Sequence, residues 1–403
     1  MRSLIILRGL SRFDKDAWLK KEKLLNFVIE LETLKRLFYK PEYKGGRDFL
    51  IRSLDDMVYR RMIEILISRM NGSLVILDWG TDSTGAIEQL ARVLGYTVFY
   101  KIFNVPEDYI SDTKKYQDPR YLPKSKDQLK EEVKKFKEED YSGKLTINNY
   151  SDLEKYWEDA TPLFKIRDRS SVIHVSDIHS HWAIIKDIVL PKVVHKGLTI
   201  FLGDYIDGPN QGGSREVMEF IMREQRDNII FLEGNHEQRL RKFLGWKALK
   251  GNKRIVSESL YSEIPPDFLE HTAKEFDDLT ASDAWIWLDE LNNKLHEFLI
   301  YERQGYKFIC SHCGLKWIEQ VCPKYVGSLL STNRHIEKTD EFFSKRYAEK
   351  KIWSIHGHCH YSGYEFNKFP GVYNIDPPDE NKVIIMEGKS NLKFNIRCLE
   401  QDN

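Results

Sequence analysis

Seven polar side chains that can bind a metal ion follow hydrophobic, strand-like segments in the central and C-terminal parts of the chain. The segment VIHVSDIH ends in two of them, and TIFLGDYID, IIFLEGNHE, KFICSHC and IWSIHGHCH carry the others. Carboxylate, amide and imidazole donors in this mixture suit borderline divalent metals. The sequence therefore predicts a metal centre built from loops that follow buried strands. The candidate ligands are Asp177, His179, Asp204, Asn235, His312, His358 and His360.

The number of candidate ligands is enough for two metal ions. Pairs of divalent ions about 3.5–4 Å apart are common at phosphoester-cleaving sites. Two cations this close need a bridging carboxylate, and Asp204 is the candidate. A water between them would lose its proton near neutral pH and become the nucleophile. Manganese is the expected metal, with iron, zinc, cobalt and nickel as alternatives. One such motif alone is equally well explained by a capping or hydrogen-bonded loop residue, but five in order favour the metal.

These motifs resemble those of the calcineurin-like metallophosphoesterases over roughly residues 171–376. GDYID and GNHE are similar to the phosphoprotein-phosphatase branch and to the phosphatase domain of bacterial polynucleotide kinase-phosphatases. The resemblance implies an α+β domain, a β-sandwich flanked by helices, with Asp204 shared by both metals. The other implied ligands are Asp177 and His179 for the first metal, with His360 completing its shell if it binds, and Asn235, His312 and His358 for the second.

The resemblance also implies an acid that protonates the leaving group. His236, the histidine of GNHE, corresponds to that acid, and Asp207 to the carboxylate that orients it. Protein phosphatases have an arginine after GDYID that clamps the substrate phosphate, whereas this chain has Gly208. A guanidinium fork is hard to replace. The candidates near the substrate are Arg239, Arg241, Arg334 and Asp376.

Two departures from the protein phosphatases favour a nucleotide or nucleic-acid ester as the substrate. One is Gly208, and the other is the Gly-His-x-His ending at 357–360, which resembles phosphodiesterases and nucleases of the superfamily. The expected activity is hydrolysis, by a metal-bridged hydroxide, of a 2′- or 3′-phosphate or a 2′,3′-cyclic phosphate on a nucleotide or an RNA or DNA end. A serine/threonine protein phosphatase is the alternative, and a binding protein without turnover is a third hypothesis.

Composition limits the expected number of domains, the binding partners and the cellular compartment. The 403 residues predict two or three domains. Sixty-two basic and 62 acidic residues cancel, so nucleic-acid binding would need a local basic patch. Five cysteines, an odd number, fit a reducing compartment, and we expect a cytoplasmic protein. The apolar run near the N-terminus is too short for a signal peptide or a membrane span, so no membrane partner is expected.

Residues 1–150 are predicted to form a separate α/β domain with a parallel sheet. Its strand, glycine loop and helix resemble polynucleotide-kinase-like P-loop kinases. Gly9 and Lys15 match the first glycine and the lysine of a P-loop, but Asp14 and Asp16 replace the second glycine and the serine or threonine. Acidic side chains there would repel a phosphate. We expect a degenerate kinase-like domain with little or no nucleotide binding; a generic α/β domain is the alternative.

The phosphoesterase domain is predicted to span residues 166–403, with a helical insertion at about 240–303. Insertions between motif loops commonly cover a site. Trp285 and Trp287 in this insertion are interpreted as packing residues, with base stacking as the alternative. The charged segment 113–140 is interpreted as a solvated helix, with a surface for a nucleic-acid strand as the alternative.

Overall fold

Three β-sheets and the helices packed on them make up the described part of the chain. The computed structural model describes residues 2–25, 28–30, 74–78, 84–112, 125–160, 163–165, 171–193, 197–208, 212–250, 260–315, 336–358, 366–377, 382–388 and 394–400. Two candidate site residues, Arg334 and His360, lie outside these ranges. Most of the first half of the charged segment 113–140 also lies outside them.

The N-terminal part of the chain forms a four-stranded parallel sheet. Its elements are β1 (Ser3–Arg8), α1 (Arg12–Lys21), β2 (Val28–Glu30), β3 (Leu74–Asp78), α2 (Gly85–Val93), β4 (Thr97–Ile102) and α3 (Lys126–Glu138). The strand order is β2-β3-β1-β4, and all three pairings are parallel. Strand β1 is buried at all its positions, as expected for a parallel strand covered on both faces.

Helix α1 ends well before the limit that its sequence pattern predicts. The apolar spacing predicts a helix through residue 37, but α1 ends at Lys21. Lys23 has a φ of 58°, in the left-handed region, and the amide of Leu24 bonds back to the carbonyl of Leu19 at 2.8 Å. Leu24 is completely buried. Burial of this leucine by a reversal of the chain therefore outweighs the local helix propensity.

The rest of the chain forms two mixed sheets that face each other. Their orders are β13-β12-β11-β10-β5 and β15-β14-β6-β7-β8-β9. A shared apolar core lies between them, with Leu202 and Leu232 from one side packed against Tyr301 and Phe308 from the other. The strands are β5 (Leu163–Lys165), β6 (Val172–Ser176), β7 (Leu198–Phe201), β8 (Ile229–Leu232), β9 (Leu295–His296), β10 (Phe298–Arg303), β11 (Tyr306–Ser311), β12 (Ile352–His356), β13 (Val372–Asn374), β14 (Lys382–Gly388) and β15 (Phe394–Glu400).

Helices cover the outer faces of these two sheets. A short helical segment at 182–192 follows β6, and 3-10 turns lie at Thr272–Phe276 and Ala348–Lys350. None of the helices in the described ranges is long and apolar enough to cross a bilayer. The regular helices are α4 (Tyr150–Ala160), α5 (Ser214–Arg223), α6 (Asn235–Leu249), α7 (Pro266–Glu270), α8 (Ala281–Lys294) and α9 (Ile336–Tyr347).

The secondary structure near two of the predicted bounds differs from the expectation. The helical insertion predicted to run to about residue 303 ends at Lys294, because β9 and β10 follow and join the two sheets. The stretch between the two predicted domains contains α4 and β5, and β5 pairs with β10. Strand β5 has a partner, β10, that is distant in sequence, so local pattern alone cannot show this pairing. Strand β10 also pairs with its neighbour β11 across the short turn at Gln304 and Gly305.

The N-terminal sheet packs directly on helices of the insertion. Leu4, Ile6 and residues of α2 share one apolar core with Leu244 of α6 and Leu288 of α8. Helix α4 contributes to two further cores, one beneath the N-terminal sheet and one beside β10. The two parts of the chain are therefore joined by buried apolar contact.

Candidate metal centre

The ligand loops come together because their strands are neighbours and run in the same direction. Strands β6, β7 and β8 are adjacent and parallel. Strands β11 and β12 are adjacent and parallel in the facing sheet. Parallel strands present their carboxyl ends at one edge, which is where loops of α/β proteins carry functional groups. Five loops that are distant in sequence thus converge on one site.

The converging side chains form two overlapping groups. Asp177, His179 and Asp204 form one, and Asp204, His312 and His358 form the other, with the possible ligand atoms of each group within 4.8 Å of one another. Asp204 belongs to both, which is the position expected for a bridging carboxylate. Asn235 joins the second group, since its Oδ1 lies 2.9 Å from Nε2 of His312.

The donor atoms of the second group fit a cation. Nε2 of His312 lies 3.1 Å from Nδ1 of His358 and 3.3 Å from Oδ1 of Asp204. The other nitrogen of His312, Nδ1, donates to the carbonyl of Leu202 at 2.9 Å. This bond orients the ring and directs Nε2 into the site, as is usual for metal-binding histidines. Mixed oxygen and imidazole donors are the set that borderline divalent ions prefer.

The pKa shifts in the cluster also indicate that a cation would be stabilised there. Burial would raise the pKa of Asp204, but the charge of His312 holds it well below its usual range. Burial would likewise lower the pKa of His312, but Asp204 raises it to about 10. Burial and the charge of His312 lower the pKa of His358 to about 3. Without a metal, one imidazole proton therefore supplies the positive charge that Asp204 requires, and a metal would displace it.

Asp376, a sequence candidate, lies close enough to act on Asp177 electrostatically. Burial raises the pKa of Asp177 well above its usual range, and the charge of Asp376 raises it further. Asp376 is 9% exposed. Two carboxyl groups in one buried region favour a cation over a substrate phosphate near this part of the site.

The candidate ligand residues adopt backbone conformations that residues other than glycine ordinarily avoid. The φ angles of Asp177, His179, Asp204 and His358 are 45°, 44°, 52° and 71°. Non-glycine residues in the left-handed region cost about 1–3 kcal/mol each when the surrounding structure imposes the conformation, and such residues concentrate at functional sites. Their accumulation in one cluster marks this site independently of its chemistry.

Glu237 is a site residue to which the sequence analysis assigned no role. Its carboxylate accepts bonds from the backbone amides of Asp204, Tyr205 and Gly234 at 3.0, 2.8 and 2.8 Å. It is completely buried, and burial together with the charge of Asp204 raises its pKa to about 7. The available signal was its position, an acidic residue at the third position of a helix, where carboxylates bond the amide of the N-cap.

His236 and Asp207 lie beside the ligands as a hydrogen-bonded pair. Nδ1 of His236 donates to Oδ2 of Asp207 at 2.9 Å, and its Nε2 lies 3.7 Å from Asp204. Burial would lower the pKa of His236, but the charge of Asp204 and the bond to Asp207 raise it. Burial would raise the pKa of Asp207, but bonds from His236 and Thr272 lower it to about 2. The pair is therefore arranged as an imidazole with an ionised partner.

The arginine candidates differ in their surroundings. Arg239 donates to Asp207 Oδ2 at 2.9 Å and its side chain is 28% exposed. Arg241 is buried and bonds to Glu233 and to Asn292. Of the two, Arg239 lies beside the candidate acid, whereas Arg241 is committed to buried partners.

The profile of the calcineurin-like phosphoesterase family matches residues 170–387, more than half of the chain. With the Asp and His groups described above, this match defines a metal-dependent phosphoesterase. The chain belongs to the calcineurin-like phosphoesterase family.

Solved structures with similar folds include several phosphatases. A protein serine/threonine phosphatase from Saccharomyces cerevisiae is 11% identical, with 65% of this chain and 92% of that chain covered and a TM-score of 0.39. A putative diadenosine tetraphosphatase is 15% identical, with coverage of 60% and 99% and a TM-score of 0.36. A metallophosphoesterase from Sphaerobacter thermophilus is 11% identical, with coverage of 58% and 89% and a TM-score of 0.33. Comparison with curated protein sequences gives no match.

Proposed function

We propose that this phosphoesterase removes phosphate from nucleotides or nucleic-acid ends, as a 2′- or 3′-phosphate or a 2′,3′-cyclic phosphate, with two Mn²⁺ ions. The observation that carries the proposal is the surroundings of Gly208. A Cβ at this position would lie 1.9 Å from the carbonyl oxygen of His179. An arginine clamp like that of protein phosphatases would therefore displace the ligand loop, so the substrate has to be held differently.

Arg239 is the proposed contact to the substrate phosphate. It is partly exposed and lies beside His236 and Asp207. A guanidinium has five donors, so a bond to Asp207 leaves others for phosphoryl oxygens. Arg334 and His360 remain proposed site residues on the strength of the sequence.

The N-terminal sheet is proposed to be a degenerate kinase-like domain. Strand β1 leads through Gly9 into helix α1, which is the arrangement that the P-loop resemblance implies. The hydroxyl of Ser11 accepts a hydrogen bond from the amide of Asp14 and caps the helix, and Nζ of Lys15 donates to Oδ1 of Asp78 at 2.6 Å. These internal bonds use groups that a phosphate would need, which supports the expectation of little or no nucleotide binding.

The chain's own residues account for the proton transfer in the proposed reaction. Bound divalent ions would supply Lewis acidity. They would neutralise charge on the phosphoryl oxygens and lower the pKa of a water, so that it could lose a proton and become the nucleophile. Nε2 of His236 would then donate a proton to the departing ester oxygen. Asp207 keeps the proton on Nδ1 directed away from the substrate and stabilises the positive ring before transfer.

Assays with Mn²⁺ on 3′-phosphorylated oligonucleotides, 2′,3′-cyclic nucleotides and phosphopeptides would test this function. We expect release of phosphate or ring opening with the nucleic-acid substrates and little hydrolysis of phosphopeptides.

His236→Ala should lower kcat by about 10²–10⁴-fold while metal content is kept. Asp204→Asn should lose both metal and activity, and Asp159→Asn, at an exposed position, should change neither.

Hydrolysis of phosphopeptides without any action on the nucleic-acid substrates would contradict the proposal and support a protein phosphatase. Retention of two metals with no turnover of any ester in a broad panel would support a binding protein.

A further inference from the structure

The helical insertion contributes a buried hydroxyl to the carboxylate of the candidate acid pair. Thr272 begins the 3-10 turn Thr272–Phe276 and is 3% exposed. Its Oγ1 donates to Oδ1 of Asp207 at 2.6 Å. This threonine is outside the family motifs, and no resemblance assigns it a role.

The bond from Thr272 complements those at the other carboxylate oxygen. Oδ2 of Asp207 accepts hydrogen bonds from Nδ1 of His236 and Nη1 of Arg239, both at 2.9 Å. Oδ1 accepts a hydrogen bond from the hydroxyl of Thr272. Bonds at both oxygens fix the rotation of the carboxylate, and without Thr272 the carboxylate could turn toward Arg239 alone.

The turn that carries Thr272 is itself held firmly against the loop of Asp207. The amide of Arg215 donates to the carboxylate of Glu275 at 3.0 Å, and its guanidinium donates to the Glu275 carbonyl at 3.0 Å. The neighbouring Ser214 hydroxyl accepts the amide of Asp207 at 3.2 Å. Phe276 is completely buried, with its ring edge-on to Trp287. The hydroxyl is therefore presented from a rigid support.

We propose that Thr272 is a positioning residue for leaving-group protonation, and that the helical insertion thereby completes the acid pair. Thr272 holds Asp207, and Asp207 holds the His236 ring with Nε2 toward the ester oxygen. This inference rests on the role of His236 in the proposed function. It does not depend on the natural substrate, because any phosphate monoester with a poor leaving group needs the proton.

Steady-state kinetics on p-nitrophenyl phosphate and phenyl phosphate separate protonation from other effects. The nitrophenolate leaves readily without a proton, whereas phenolate depends more on the acid. Thr272→Val removes the hydroxyl at nearly constant size. We expect kcat on phenyl phosphate to fall about tenfold or more, with less than about a twofold change in KM or in kcat on p-nitrophenyl phosphate.

Three comparison variants make the test specific. Thr272→Ser keeps a hydroxyl and should restore most of the activity on phenyl phosphate. In a His236→Ala background, Thr272→Val should have no further effect on that ester, since both act through one proton transfer. Thr84→Val removes a similar hydroxyl, which donates to Glu88 at 2.7 Å in the N-terminal part, and should leave the ratio of the two activities unchanged.

An equal loss on both esters, or a further loss in the His236→Ala background, would show that Thr272 only supports the fold and would overturn the proposal. These outcomes are distinct from failure of the proposed function. That failure would appear as wild-type activity on the aryl phosphates with none on nucleotides or nucleic-acid ends.

Discussion

Asp177, His179 and Asp204 hold their side chains in position through backbone angles that few residues adopt. Their φ angles are positive, and their possible ligand atoms lie within 4.8 Å of one another. Asp207 shares this feature, with a φ of 66°. Because each conformation is unfavourable alone, the surrounding contacts must impose it, and the close approach at Gly208 is one such contact.

Replacement of Gly208 tests whether this close approach is required. Gly208→Ala would place a methyl group against the carbonyl of His179 and push the ligand loop outward. We expect a loss of about 1–3 kcal/mol in stability from overpacking, together with weaker metal binding. Denaturant unfolding and metal titration calorimetry measure the two effects.

Gly212 provides the matched control in the same loop. A Cβ there would meet nothing within 4 Å, and Gly212 has no positive φ angle. Gly212→Ala should leave stability and metal affinity nearly unchanged. Equal behaviour of the two variants would show that the contact at Gly208 does not hold the site.

At the scale of secondary-structure elements, the start of helix α6 connects two ligand loops. Asn235 and His236 are its first residues, and Glu237 in the same turn bonds the backbone on both sides of the site. One helical turn thus carries a candidate ligand, the candidate acid and the residue that ties their loops together.

Glu237→Gln should weaken the site without changing a ligand. An amide presents one acceptor oxygen in place of two, so the three backbone amides cannot all keep their bonds. We expect a stability loss of about 1–3 kcal/mol and a decrease in metal affinity of about 10–100-fold. Metal titration calorimetry checks the affinity, with Glu270→Gln as an exposed control. Unchanged affinity in the Glu237 variant would contradict this role.

At the scale of the whole molecule, a buried ion network joins the N-terminal sheet to the site. Arg2, just before β1, donates to Glu233 at 2.5 Å, and Arg241 of α6 also bonds to Glu233. The side chains of all three residues are about 3% exposed. Glu233 lies two residues before the candidate ligand Asn235, so the N-terminal part supports the strand end that carries it.

Arg2→Met should destabilise the whole described structure. Removing one partner leaves Glu233 buried with less compensation, which costs about 3–5 kcal/mol. Denaturant unfolding followed by circular dichroism and by tryptophan fluorescence should shift together, because the two parts share a core.

Arg92→Met is the control at the same boundary. Its ion pair with Asp289 is 48% and 44% exposed, so its loss should cost about 1 kcal/mol or less. A shift in this variant as large as that of Arg2→Met, or separate transitions for the two probes, would contradict the proposed coupling.

The sequence by itself determined the chemistry of the site. Ligand types and their order follow from local patterns, because a strand followed by polar residues is a local signal. The pairing of His236 with Asp207 was implied by the family resemblance. Alternating strand and helix patterns predicted the parallel N-terminal sheet, and the family resemblance implied the β-sandwich that follows it. The kinase-like character of the N-terminal sheet stays a prediction.

Only the tertiary structure decided which distant residues support that chemistry. Thr272 lies 65 positions from Asp207, and Arg2 lies 231 positions from Glu233. Neither has a local pattern that marks it, since a threonine before a short turn or an arginine before a strand is ordinary in any chain. Their roles arise from burial beside a carboxylate, which depends on how sheets and helices pack and not on the neighbours of each residue in sequence.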